Sequence, residues 1–204
     1  MTDAEAMAAP ADALGLLEGA IGYALGAVQA VTPRQLAGPT PCAEWDLRTL
    51  LHHLNDALDV LGECIDTGRI GPHPGGSAAG GDGDGDLAAD PAATFRDRAG
   101  RLLDARSAGG CNGRVVAIAG HRLTASAVAA TGAIEIAVHG WDVSQACGQA
   151  RPIPAVLATG LLAICPLVVT GATRHRLFAA PVPVSPLASP SDLLVAFLGR
   201  SPHR

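Results

Sequence analysis

Apolar residues recur along most of this chain with the spacing of one helix face. Leu14, Leu17, Ile21, Leu25 and Val28 stand three or four apart and predict a first helix over about residues 11–31, closed where Thr32 meets Pro33. A turn-rich stretch follows, in which Pro39 and Pro41 fix the backbone ahead of Cys42. Asp46 is a good N-cap for a second helix running through Leu47, Leu50, Leu51, Leu54, Leu58 and Leu61 to Gly68. Asp90-Pro91 supplies a cap and a first-turn proline for a third helix to about residue 107. A fourth, over about 124–146, carries the apolar face Val128, Ile134, Val138 and Val143, weakened by Gly132 and Gly140. A fifth spans about 155–169 with a kink expected before Pro166, and a short helix over 192–198 is capped by Ser191 and stopped by Gly199.

Residues 115–122 are short and apolar and leave helix or strand open, but no strand pattern is long enough to build a sheet, and no repeat of 20–50 residues appears. The pattern therefore predicts an all-α fold, a four-helix bundle with additional short helices, as a single domain over residues 1–204. The run GPHPGGSAAGGDGDGD over 71–86 places a flexible Gly/Asp-rich loop at about 71–90. Its Asp82, Asp84 and Asp86 alternate as in a calcium loop, yet Leu87 and Ala93 stand where that loop needs Gly and Glu, so the run reads as a solvated acidic linker.

Composition narrows the chemistry. At 49% hydrophobic and 3% aromatic, the 204 residues are too apolar for a disordered chain and too poor in aromatics for a β-sandwich. All 14 basic residues are Arg, which excludes a Schiff-base lysine and a P-loop. A net charge of -5 argues against a nucleic-acid partner, and no basic amphipathic face is present to hold an anionic membrane. Residues 152–173 are uncharged, but Pro152, Pro154, Gly160, Pro166 and Gly171 interrupt them, so they read as a buried bundle helix and not a membrane span. Asp3 and Glu5 replace the basic start of a secretory signal, and a cytoplasmic location is the expectation. Five cysteines, at 42, 64, 111, 147 and 165, form no close pair, which speaks against a disulfide framework and a four-thiolate zinc site.

Glu135 and His139 stand four apart on the fourth helix, with Cβ atoms roughly 5–6 Å from each other. That spacing lets a carboxylate and an imidazole reach one ion, and it is equally the spacing of an ordinary surface pair. His53 lies among leucines that must face the core, as a satisfied core histidine or an inward ligand, while His52, about 100° round the helix, faces out. Were the three to meet, they would form a His₂Glu set with a fourth position open, as in catalytic zinc sites. Spacing alone leaves the two readings level.

The block Thr40-Pro-Cys-Ala-Glu-Trp-Asp-Leu-Arg48, running into Leu50-Leu-His-His-Leu54, resembles a segment of actinobacterial DinB-like proteins, which group with the metal-binding domain of mycothiol-dependent maleylpyruvate isomerase. Glu135-Ile-Ala-Val-His139-Gly-Trp-Asp142 is similar to the second hallmark of that family, and the tail from Phe178 to Arg200 resembles the end of its short members. The resemblance implies a four-helix bundle holding a divalent ion, zinc or another such as nickel, with ligands at His53, Glu135 and His139. Full-length maleylpyruvate isomerases carry a further C-terminal domain that helps build the active site, so the resemblance carries the metal site and not the isomerase reaction. It favours a cytoplasmic zinc-dependent enzyme of a small-molecule substrate, with mycothiol as co-substrate in a thiol transferase or isomerase step. The alternatives are a metal-dependent lyase, cyclase or hydrolase of specialised metabolism, and a non-catalytic metal-binding protein whose bundle forms a homodimer.

Four further features carry open readings. Asp142 either orients a ligand imidazole or anchors its helix through Trp141 and Arg48. Cys42 is either a thiolate favoured by the second helix's N-terminus or a buried structural cysteine. Arg174-His175-Arg176 either meets an anionic substrate or is solvated surface, and His121 either leans toward the site or away.

Overall fold

In the computed structural model, the residues described are 13–42, 45–67, 69–70, 90–107, 115–118, 121–171, 174 and 178–202. Six helices follow one another among them: α1 (Ala13–Val28), α2 (Leu47–Thr67), α3 (Pro91–Ser107), α4 (Ala125–Ala146), α5 (Ala155–Val168) and α6 (Pro190–Phe197). The caps explain most of the starts. Asp46 Oδ1 accepts from the Thr49 N–H at 2.8 Å, Asp90 Oδ1 from Ala92 at 2.9 Å, and Thr124 Oγ1 from Ala127 at 3.1 Å. Each satisfies an amide that has no partner inside its own helix.

The last helix starts two residues before the expected position. Ser189 is its cap, accepting from the Asp192 N–H at 3.1 Å, and Pro190 takes the first helical position. Ser191, the expected cap, is instead buried in the first turn, where its Oγ accepts from the Ile153 N–H at 3.0 Å. Two serines flanking a proline offer the same local signal, and a tertiary bond to a residue 38 positions away chose between them.

Helix α4 is central, packed against α1, α2 and α5, while α2 also packs on α3 and α5 on α6. Its interior position accounts for the two glycines that weaken its propensity. A Cβ on Gly140 would stand 3.1 Å from the Cα of Ala24 on α1, and one on Gly132 would stand 2.8 Å from Leu61 of α2. The missing side chains let neighbouring helices approach closely. Large side chains close the remaining core, among them Leu17, Ile21, Leu50, Leu54, Phe95, Ile134, Ile136 and Leu161, all fully buried. Among the described residues no helix is long and apolar enough to cross a membrane.

One element departs from the all-helical pattern. Arg69–Ile70 pairs in parallel with Val115–Ile118, which pairs in antiparallel with His121–Thr124, aligning Val115 with Thr124 and Ile118 with His121. The stretch that left helix or strand open is thus a hairpin in a small three-stranded sheet, whereas the pattern led us to expect no sheet. Strands of two to four residues are too short for alternation to register, and their pairing is decided by contacts across the chain. The bundle remains the architecture. Apart from Asp90, the Gly/Asp-rich loop expected at 71–90 lies outside the described residues, as does Cys111.

Candidate metal centre

The site begins in the loop before α2. Leu47 and Arg48 donate backbone N–H groups to the carbonyls of Gly38 and Leu36 at 3.0 and 2.8 Å, so the incoming chain itself satisfies the helix start. Thr40 Oγ1 lies 2.9 Å from the carbonyl of Trp45 and 3.1 Å from that of Cys42, and accepts from the Cys42 N–H at 3.2 Å. This hydroxyl folds the loop back on itself and sets Trp45 beside the helix. The indole stacks at a tilt on His53, with ring centroids 4.9 Å apart, and reaches His139 at 6.1 Å.

His53 of α2 then meets Glu135 and His139 of α4. Glu135 Oε2 is 3.3 Å from His139 Nε2 and 3.7 Å from His53 Nε2, and the two imidazoles stand edge to face at 5.0 Å. One atom from each of the three lies within 4.8 Å of the others. A tetrahedral ion bound at zinc distances separates its ligands by roughly 3.3 Å, so the spacing and the donor types both fit a divalent cation. The side chain of His139 is 6% exposed, Glu135 18% and His53 38%, which leaves the cluster closed on the α4 side and reachable past His53.

Behind the cluster, His139 Nδ1 lies 2.9 Å from Asp142 Oδ2. Asp142 is fully buried and accepts twice from Arg200, from Nη2 to Oδ2 at 2.8 Å and from Nε to Oδ1 at 3.3 Å. The electrostatics follow from this ladder of alternating charge. Burial opposes the charge on His139, but its bonds to Asp142 and Glu135 outweigh burial and lift its pKa to about 9. Burial likewise opposes ionisation of Glu135, and the two imidazoles outweigh it, holding the carboxyl down at about 2. Asp142 is also held below the usual carboxylate range, burial being overcome by His139 and Arg200.

A second group, Cys42 with His139 and Asp142, also brings its atoms within 4.8 Å. Arg200 stands in it: its Nη2 donates to Asp142 and lies 4.0 Å from Cys42 Sγ, so a guanidinium already supplies the positive charge there. Burial pushes the Cys42 thiol pKa up despite the opposing pull of Arg200, which favours the structural cysteine over the thiolate among the two readings left open by the sequence. The half-buried thiol is the outcome.

The structure brings together the three residues singled out from sequence, and gives Asp142 the orienting position, with Arg200 as its other partner where the anchoring reading named Arg48. Arg174 meets backbone: it donates to the carbonyls of Phe197 and Ala179 at 2.8 and 3.2 Å and lies over the Phe197 ring, tying the chain to α6. The side chains of His121, His175 and Arg176 lie outside what the structure describes. Two contributors went unassigned in the sequence reading, Trp45 and Arg200, although both stand inside the blocks that carried the resemblance.

Residues 17–144 match the model of the family described as the mycothiol maleylpyruvate isomerase N-terminal domain. That range takes in His53, Glu135, His139 and Asp142 and stops short of Arg200. Two curated proteins from two strains of Mycobacterium tuberculosis, both described as uncharacterized, are 29% identical to this chain over 181 residues, covering 82% of it and 86% of their own length. No solved structure matches the chain. With well over half its length aligned, and the quoted hallmarks brought to one place in the bundle, this chain belongs to the mycothiol maleylpyruvate isomerase N-terminal domain family.

Proposed function

We propose that this protein is a divalent-metal enzyme whose ion is held by His53, Glu135 and His139, acting on a small molecule with a low-molecular-weight thiol such as mycothiol as co-substrate. The carrying observation is the meeting of three ligand atoms from two helices, 82 positions apart from His53 to Glu135, with the His53 side chain 38% exposed. Zinc bound there would lower the pKa of a coordinated thiol or water, or polarise a carbonyl. The residues supply the rest. Glu135 contributes one negative charge and the imidazoles none, so a divalent site keeps net positive charge for an anionic donor. Asp142 orients His139 from behind. The Trp45 ring walls one side of His53 and gives a substrate an apolar surface to lie against. The reaction class this favours is thiol transfer or thiol-dependent isomerisation. Imidazole and carboxylate donors suit nickel and other first-row ions as well as zinc.

The test has two stages. Purified protein should carry about one equivalent of divalent metal per chain by elemental analysis. The cobalt-substituted protein should then gain a sulfur-to-metal charge-transfer band in the near ultraviolet on adding mycothiol or N-acetylcysteine. The band should be lost in His53→Ala and kept in Cys42→Ser. A band present before any thiol is added, and lost in Cys42→Ser, would mean that a protein sulfur fills the fourth position. Bound cobalt with no band under any thiol would end the thiol reading and leave water-based chemistry, a hydrolase, lyase or cyclase, at the same three ligands.

A further inference from the structure

Arg200 lies 58 residues beyond Asp142, outside the family match, yet it is 7% exposed and placed directly behind the candidate ligands. The end of α6 explains how it gets there. Gly199 takes a left-handed φ of +84°, its N–H donates to the Ala196 carbonyl at 3.0 Å, and the Arg200 N–H donates to that of Val195 at 2.8 Å. These two bonds form a Schellman turn that ends the helix and reverses the chain. A Cβ on Gly199 would also stand 2.7 Å from Cβ of Ala179, so both backbone angle and space call for glycine. The turn aims Arg200 inward, where its third donor, Nη1, goes to the Leu198 carbonyl at 2.9 Å.

A fully buried carboxylate needs partners on both oxygens, and among the described residues His139 and Arg200 provide them for Asp142. The planar guanidinium takes both oxygens at once, which fixes the plane of the carboxylate. Oδ2 is thereby held where it receives the Nδ1 proton of His139, and the ring's other nitrogen is left facing Glu135 and His53. We propose that Arg200 is a positioning residue of the metal centre: it acts through Asp142 to fix the His139 ring, so that the tail of the chain completes a site whose ligands all come from α2 and α4. This rests on the metal reading of His53, Glu135 and His139.

The experiment uses the full chain with Arg200→Met, Arg200→Lys, Asp142→Asn and the Arg200→Met/Asp142→Asn double variant. Zinc affinity is measured by competition with a chromophoric chelator. In zinc-free protein, the solvent-exchange rate of the His139 Nδ1 proton is measured by long-range nitrogen–proton NMR. Arg200→Met should weaken zinc about 10–100-fold, the range for partners behind a metal ligand, and speed Nδ1 proton exchange at least tenfold by the same loosening. Arg200→Lys, a point charge without the fork, should fall between Met and wild type in both readouts. In the Asp142→Asn background, removing Arg200 should change zinc affinity by less than about threefold, because its route is already cut.

A folded Arg200→Met with wild-type affinity and exchange overturns the proposal, and so do additive losses in the double variant. A merely structural tail would lower the melting temperature while leaving both readouts of the folded protein unmoved. Should Arg200→Met fail to fold, Arg200→Lys carries the same two measurements. Wild-type protein that takes up no zinc would overturn the metal reading, while Nδ1 exchange still decides separately whether Arg200 holds His139.

Discussion

Helix α4 is buried on two opposite faces that are built in different ways. Ala133, Ala137 and Gly140 form one stripe, with Gly140 against Ala24 and Tyr23 of α1. Glu135, His139 and Asp142 form the other, about 200° round, at the same spacing of four and three. Burial separates them only at Glu135, whose side chain is 18% exposed: Ala137 is 1% exposed, His139 4% and Asp142 0%. The difference lies in what each face needs. The small stripe needs only a lack of atoms, so that a neighbouring helix can come close. The polar stripe needs named partners in fixed places, and it takes them from the loop before α2, from α2 itself and from the end of the chain. An apolar contact degrades by degrees when altered, whereas a buried polar network fails once a member is lost.

The largest effect should come from the polar face. His139→Ala removes one of three donors and leaves Asp142 and Arg200 paired behind an empty place. Zinc affinity should fall by more than about 100-fold, beyond the usual cost of losing an outer partner, while the helical circular dichroism stays. Chelator competition reads the first and spectroscopy the second. Unchanged zinc uptake would remove His139 from the site.

Next in size is the small-residue face. In Gly140→Val the first added carbon already sits 3.1 Å from Cα and Cβ of Ala24, so α1 must shift. Urea unfolding should show about 1–3 kcal/mol lost. If the two faces are independent, the loss should be the same with zinc as with chelator. A loss confined to the zinc-bound protein would mean that the helix transmits strain across its width.

The smallest effect concerns pH. Tyr23, which flanks Gly140, is buried and donates its hydroxyl to the Arg151 carbonyl at 2.7 Å. Burial is the main cause that raises its pKa from 10.0 to about 12. The folded state therefore keeps a proton that the unfolded chain releases. The resulting stability is whole below pH 10 and lost as pH rises through 12, with about 1 kcal/mol gone by pH 11. Cys165, buried and likewise raised to about 12, adds a fall that begins near pH 9. Denaturant melts between pH 8 and 11 should show a shallower decline in Tyr23→Phe than in wild type. Parallel curves would mean that the phenol is hydrated in the folded protein.

Much of this molecule could be read from neighbours along the chain. A helix is a short-range object, so apolar spacing and local cap and proline signals placed all six helices within a few residues, and Asp46 and Asp90 announced two of the starts. The pairing of Glu135 with His139 was legible for the same reason, since one turn of helix puts them together whatever surrounds it. Other features depend on which surfaces meet, and no local spacing encodes that. The arrival of His53 beside that pair is one, and the choice of Arg200 over Arg48 as the partner of Asp142 is another. So are the cap at Ser189 in place of Ser191 and the small sheet joining residue 70 to residue 118. In each case several local candidates were equivalent, and the packing of distant segments around α4 selected one, because a buried charge or amide is stable only where its partner can reach it.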